Sequence, residues 1–261
     1  MKHAAILCTT AAVILVIGCG NGNRPSAQPE SVVSDAPVTK RPVNGATAGT
    51  IRGIVRLAGT PPQMSTINMR RVPNCAALHA SSPVSEEVLV STDGAFQNVV
   101  VYLQGDFSSY SFPEPASPVT VDQKGCIYVP RVVGLTTNTT LRILNSDLLT
   151  HNVNTTAENN RRWNETQTTG AAPIESQFTR PEVPVVLRCN LHPWMRTYLA
   201  VFDHPYFQVT GSDGSFRLSG VPPGIYNATA WHERYGKKEQ TVKLAPGGDE
   251  EVTLTFTADG G

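Results

Sequence analysis

The chain has no surplus of charge. Its 21 Lys and Arg residues balance 21 Asp and Glu, which leaves no basic footprint for nucleic acid and no field for strong steering of a partner. It lacks any convincing long amphipathic helix. It also lacks an apolar run of bilayer length: the one candidate, Ala4 to Ile17, is too short for a permanent span. Histidine is scarce, six in 261 residues, and scattered, which excludes sites built from clustered imidazoles. Five cysteines are too few for a disulfide-built scaffold of this length. What the chain does have is β-pattern: Val, Ile, Thr and aromatic runs alternate with Gly, Pro, Asp and Asn turns from Gly49 to Phe256.

One short segment concentrates chemistry. In Cys189-Asn190-Leu191-His192-Pro193-Trp194-Met195 a thiolate, an imidazole and a thioether recur at three-residue intervals. Upstream, His151 follows the β-like run Asn145 to Thr150 and precedes Asn152-Val153. Two imidazoles, one thiolate and one weak thioether form the ligand set of a blue-copper electron-transfer site. A metal cycling between Cu(II) and Cu(I) needs nitrogen for the harder state and sulfur for the softer one. Zinc is the competitor for Cys and His, but zinc sites rarely use methionine, and closed ones usually draw on more than one cysteine.

These residues resemble a cupredoxin, with the short Cys-x-x-His-x-x-Met loop of amicyanin and pseudoazurin and a matching His-Asn-Val at 151–153. The resemblance covers about residues 118–203 and implies one type 1 copper per chain. Its ligands would be His151, Cys189 and His192, with Met195 as the axial sulfur. It further implies that Asn152 braces the two ligand segments and bonds to the thiolate sulfur. It makes His192, with Pro193 and Trp194 beside it, the place where electrons leave. One departure is the long polar stretch from Glu158 to Phe178. A binuclear copper centre would need a second cysteine in the ligand loop, and a copper oxidase would need His-rich clusters; neither is present.

The N-terminus reads as export machinery. Residues 1–19 join a positive start to a short apolar run ending in Val16-Ile17-Gly18-Cys19, which resembles a bacterial lipobox with Cys19 lipidated. Several acyl chains would anchor the protein durably, on the periplasmic face or the outer membrane of a bacterial envelope. Cys8 leaves with the leader. Cys75 and Cys126 remain and would pair in an oxidising compartment, or stay as two separate buried thiols. Residues 20–47 are rich in Pro, Ser, Ala and Asn and read as a flexible linker.

About 210 β-patterned residues suit two sandwiches better than one. Strands are expected at Thr50–Leu57, Gln97–Leu103, Thr140–Leu144, Val183–Arg188, Tyr198–Phe202, Ser215–Leu218, Tyr226–Trp231, Gln240–Leu244 and Glu251–Phe256. The tail holds Asp213-Gly214, a hairpin signal, and Pro223-Gly224 before a β-run. With the first two strands it resembles the carboxypeptidase regulatory-like, transthyretin-like sandwich. The expectation is therefore an all-β chain: a Greek-key cupredoxin sandwich (118–203) inserted into a second sandwich built from 48–117 and 204–258. Trp231-His232-Glu233 reads as a surface pair, His204-Pro205-Tyr206 as the crossover between domains, and His79 as solvated.

The function expected is a membrane-anchored carrier of single electrons between redox protein partners, with no catalytic residues. Two alternatives stand beside it. One is a surface module binding carbohydrate or protein, which would need an exposed row of aromatics among Tyr206, Phe207, Tyr226, Trp231 and Tyr235. The other is a copper storage or delivery protein.

Overall fold

The computed structural model describes residues 39–260; the leader, the lipobox cysteine Cys19 and most of the linker lie outside them. The described chain is all-β and built as sandwiches. It starts with β1 (Arg41–Pro42), β2 (Gly49–Ala58), one short helix α1 (Pro73–Ala76), β3 (Val100–Gln104) and β4 (Tyr110–Ser111). Between residues 119 and 202 come β5 (Val119–Gln123), β6 (Tyr128–Val129), β7 (Val132–Thr136), β8 (Leu141–Asn145), β9 (His151–Thr156), β10 (Asn164–Gln167), β11 (Ile174–Ser176), β12 (Glu182–Arg188) and β13 (Arg196–Phe202). The chain closes with β14 (Phe207–Val209), β15 (Ser215–Val221), β16 (Gly224–His232), β17 (Gly236–Leu244) and β18 (Asp249–Thr257).

Strands from the two ends of the sequence pair with each other. One sheet runs β14-β3-β16-β17 and another β15-β2-β18, and Ile51, Val101, Phe216, Ala228 and Phe256 fill the core between them. The middle of the chain makes two sheets of its own, β10-β9-β12-β13-β7 and β11-β8-β5-β6, closed over Val121, Leu141, Val153, Leu187 and Leu199. Alternation explains the outer strands. In β18, Val252, Leu254 and Phe256 are buried while Glu251, Thr253 and Thr255 are exposed, the period-two pattern of a half-buried strand. The left-handed backbone at Gly214 (φ 66°) closes the Asp213-Gly214 turn at no steric cost, but this turn is not the hairpin expected: it carries the chain from β14 in one sheet to β15 in the other.

Two strands instead read as unbroken apolar runs, and the reason is a third core. Val101 and Leu103 of β3 face the outer core, while Val100 and Tyr102 face Val132, Ala200, Phe202 and Trp231. In β13, Leu199 and Val201 point into the middle sandwich and Ala200 and Phe202 away from it. A sheet covered on both faces shows no alternation. Gly134 marks how closely the two sandwiches approach, since a Cβ there would meet the Phe207 ring at 2.7 Å.

Two boundaries differ from those expected. The last part of the 20–47 linker is not free: β1 pairs with β4, Arg41 N–H donates to the Ser109 carbonyl at 3.0 Å, and the Arg41 guanidinium lies over the Tyr110 ring. Residues 67–79, assigned to the outer sandwich, pack on the middle one. Met69 and Cys75 are buried in its core with Ile67 and Val72 against it, and Cys75 is bonded to Cys126. Composition hid both, because the contacts that hold these segments come from residues distant in sequence.

Candidate metal centre

The seven residues between β12 and β13 form a tight loop. Met195 N–H donates to the His192 carbonyl at 2.9 Å, and Cys189 N–H donates to the Met195 carbonyl at 3.3 Å. These bonds fold Cys189, His192 and Met195 inward, and all three are buried. Both flanking strands are in the same sheet, so the loop's ends are fixed. His151 comes from the neighbouring strand. It does not end a β-run but opens β9, after the loop 146–150, and β9 pairs directly with β12. One sheet thus carries both ligand segments.

The side chains converge. His151 Nδ1 lies 3.1 Å from His192 Nδ1, and Cys189 Sγ lies 3.5 Å from His192 Nδ1. Donor atoms of the three residues all fall within 4.8 Å of one another. Metal–nitrogen bonds of about 2.0–2.1 Å and a metal–sulfur bond of about 2.3 Å, opening at about 100–110°, separate donors by about 3.1–3.6 Å. The His151–His192 and Cys189–His192 spacings match, and His151 and Cys189 lie within 4.8 Å of each other, so the three residues converge closely enough to hold one ion. Met195 supplies a buried thioether from the same loop.

The supporting shell is equally built. Asn152 N–H donates to Cys189 Sγ at 3.4 Å, while its side-chain oxygen accepts from Asn190 N–H at 3.3 Å. Its side-chain amide is itself held by Asn164 and by the Glu165 carbonyl. Asn152 therefore joins the two ligand segments, and it is the backbone amide that reaches the sulfur. Asp147, which sequence reading passed over, is the other brace. One carboxylate oxygen contacts His151 Nε2 at 2.8 Å and Cys126 N–H at 2.7 Å, and the other accepts from Gly125 N–H at 2.6 Å. Engaging Nε2 leaves Nδ1 for a metal, the carboxylate–histidine arrangement common behind metal ligands. The only signal for it in the sequence was an aspartate four residues before a histidine.

The electrostatics of the site follow from these contacts. Burial alone would raise the Cys189 thiol, but His151 and the amides of Asn152, Leu191 and His192 outweigh it, and the pKa falls below the usual thiol value. Burial and the neighbouring His151 push His192 below the ordinary histidine value. At His151 burial acts downward too, yet Cys189 and Asp147 outweigh it and hold the ring above that value. The ionisable thiol and the neutral His192 are in the state that metal ligands need, while the raised pKa of His151 means that an incoming ion must displace a proton from that ring.

His192 is not the exposed edge that the resemblance implies. It is only 5% exposed, because Trp194 lies against it with ring centroids 5.4 Å apart and the Cys75–Cys126 disulfide comes within 4.8 Å of a ring nitrogen. Trp194 is half-buried and donates its indole N–H to the Cys126 carbonyl at 2.9 Å. Pro193 is exposed. Three further expectations change. His79 is half-buried and bonds to the Gly125 carbonyl at 2.8 Å. His232 and Glu233 are not a surface pair: His232 is buried, and Glu233 takes a two-pronged ion pair from Arg131. The stretch 158–178 is not a long loop, since β10 and β11 form within it. His204 and Tyr206 are buried at the crossover, packed on Phe107.

No family model and no curated protein matches the chain. Several solved structures are similar to part of it. A copper-containing nitrite reductase from Thermus scotoductus is 23% identical over 34% of this chain and 23% of that one, with a TM-score of 0.31; the match spans under a quarter of that enzyme's length. A purple cupredoxin from Nitrosopumilus maritimus is 21% identical over 31% of this chain and 97% of its own, at a TM-score of 0.27. A reduced amicyanin variant is 21% identical over 34% and 86%, at 0.30. The site itself stands on the geometry above.

Proposed function

We propose that the chain binds one copper ion through His151, Cys189 and His192, with Met195 as the weak sulfur ligand, and carries single electrons. The observation that supports this best is the convergence of two imidazole nitrogens and one thiol sulfur, at 3.1 and 3.5 Å, in a loop that also buries the Met195 side chain. When bound, copper supplies exchange of one electron between its two oxidation states.

The chain's own residues do the rest. Cys189 gives up its proton in a pocket that already lowers its pKa. Asp147 fixes the tautomer and ring plane of His151, and Asn152 ties the Cys189 segment to the His151 segment. The ligand loop is closed by its own backbone bonds and seated between two paired strands, so donor positions barely change with the charge they face. Water is kept from the centre by Trp194 and by the bridge at Cys75–Cys126. Electron-transfer partners bind through small, transient contacts; the redox protein partner in this reading meets the exposed Leu191 and Pro193 beside His192. Lipidation at Cys19, holding the protein in a bacterial envelope, belongs to the same proposal and is checked by the loss of membrane association in Cys19→Ser.

Metal analysis with a visible spectrum tests the proposal. The purified chain from residue 20 onward should hold one copper and be strongly blue, violet or green when oxidised. Cys189→Ser should abolish that absorption. A colourless protein with stoichiometric zinc would reject the reading. A copper storage or delivery role would show instead as slow electron self-exchange in the loaded protein. The surface-module alternative is not supported by an exposed aromatic row, because Tyr206, Tyr226, Trp231 and Tyr235 are buried and the half-buried Phe207 stacks on Phe202.

A further inference from the structure

The disulfide beside His192 is not needed to place any of the ligands proposed above, yet it sits where a ligand would. Both sulfurs of Cys75 and Cys126 and a ring nitrogen of His192 lie within 4.8 Å of one another, and all three residues are buried. The turn that carries Cys126 is held from several sides. Gly125 (φ 67°) and Cys126 (φ 52°) are both left-handed, in the hairpin between β5 and β6 where Lys124 N–H bonds to the Ile127 carbonyl. A non-glycine residue in that conformation persists only when its surroundings over-determine it. Here they do: Asp147 accepts both N–H groups, Trp194 donates to the Cys126 carbonyl, and His79 bonds to Gly125. The backbone of Cys126 therefore keeps its position without help from the bond to Cys75. Cys75 sits in α1, whose neighbours Met69 and Val72 pack on the middle core.

An imidazole has two nitrogens, and the contacts of His192 to His151 and Cys189 both use Nδ1. We infer that Cys75, Cys126 and His192 form a second, redox-controlled site for a soft monovalent metal ion such as Cu(I), closed while the disulfide stands and opened when it is reduced. The reductant is a dithiol. Its two thiols become its own disulfide, the Cys75–Cys126 bond breaks, and each Sγ takes one proton. An incoming metal ion then displaces those two protons and meets two thiolates and one imidazole, the donors that Cu(I) prefers; where Nδ1 already holds the ion of the first centre, the remaining ring N–H proton of His192 leaves as well and the ring bridges the two ions. The inference rests on the proposed copper centre only through their shared use of His192.

The test counts Cu(I), supplied anaerobically as its acetonitrile complex, in protein kept oxidised or reduced with dithiothreitol that is then removed by gel filtration. Oxidised wild-type protein should bind one ion per chain and reduced protein two. Cys189→Ser should bind none when oxidised and one when reduced. The double variant Cys75→Ser, Cys126→Ser should bind one in either condition. X-ray absorption of reduced, loaded Cys189→Ser should show two sulfur neighbours and one nitrogen. No gain on reduction would overturn the inference, as would a shell of two sulfurs without nitrogen, or loss of the β-rich far-ultraviolet spectrum on reduction. Should oxidised wild-type protein bind none and the reduced protein one, the copper-centre reading fails while the second site stands.

Discussion

Asp147 does three things with one side chain: it orients His151, and it accepts the amides of two left-handed residues, Gly125 and Cys126. Asp147→Asn keeps the shape but replaces one acceptor oxygen with a donor, so either the Gly125 contact fails or the His151 and Cys126 contacts, which share one oxygen, both fail. Outer partners of metal-bound histidines typically contribute 10–100-fold in affinity. The variant should therefore keep its colour yet lose copper to a competing chelator at about 10–100-fold lower chelator concentration. Wild-type affinity in the variant would show that Asp147 serves only the turn. A second titratable residue acts far from the centre. His232 is buried against Phe96, and burial, with Arg131 and Arg234 nearby against the Glu87 carbonyl, holds its pKa down to about 4. The unfolded chain, with a histidine near 6.5, binds the proton more readily, so stability is full above pH 6.5 and declines as the pH falls from there toward 4. One pKa unit corresponds to 1.36 kcal/mol, so the loss should reach roughly 3 kcal/mol at most. Denaturant titrations of wild type and His232→Phe between pH 7 and 4 should show that decline in the first and its absence in the second.

At the scale of elements, the polar stretch after β9 shows how a segment without an apolar pattern is fixed. Glu182, at the start of β12, is buried and accepts from the amides of Glu158 and Asn159 and from the Asn160 side chain. Asn160 in turn accepts the amides of Thr179 and Arg180. Glu182→Ala would strand these donors, each bond to a charged group being worth about 1.5–3 kcal/mol. Hydrogen exchange should accelerate at residues 158–160 and 179–180 while β18 stays protected; unchanged exchange there would show that the carboxylate is dispensable. The same segment marks the limit of sequence reading. Strands with one buried face, such as Ser215–Leu218 and Glu251–Phe256, announce themselves by alternation. In β10, by contrast, only Gln167 is buried, and its partner is the polar Gln123, so β10 carries no pattern to find. The candidate site residues Cys189, His192 and Met195 stand out in the sequence because one loop holds them at fixed spacing, and His151 because of its Asn-Val neighbours. Asp147, the bridge against His192 and the burial of His192 do not, since each depends on segments that meet only in three dimensions.

At the scale of the whole molecule, what joins the two sandwiches is a core of its own. Phe202 of β13 stacks on Phe207 and lies against Tyr102, with Val100, Val132, Ala200 and Trp231 around it. Beside this core Arg131, ahead of β7, reaches Glu233 beyond β16 with two contacts, the longer at 2.7 Å. Removing one partner of such a half-buried pair leaves a charge short of solvent, which costs more than the pair contributes. The apolar part is the larger coupling term: truncating a buried phenylalanine typically costs 3–5 kcal/mol. Phe202 serves the joint, because its strand neighbours Leu199 and Val201, not Phe202 itself, fill the middle core. Phe202→Ala should therefore weaken the coupling more than either sandwich. Scanning calorimetry of wild type should give one transition, and the variant two, the separate transitions of sandwiches that no longer unfold together. The copper absorption should vanish with only one of the two steps in Phe202→Ala. A single transition merely shifted to lower temperature, with colour lost at its midpoint, would show that the two sandwiches fold as one unit whatever lies between them.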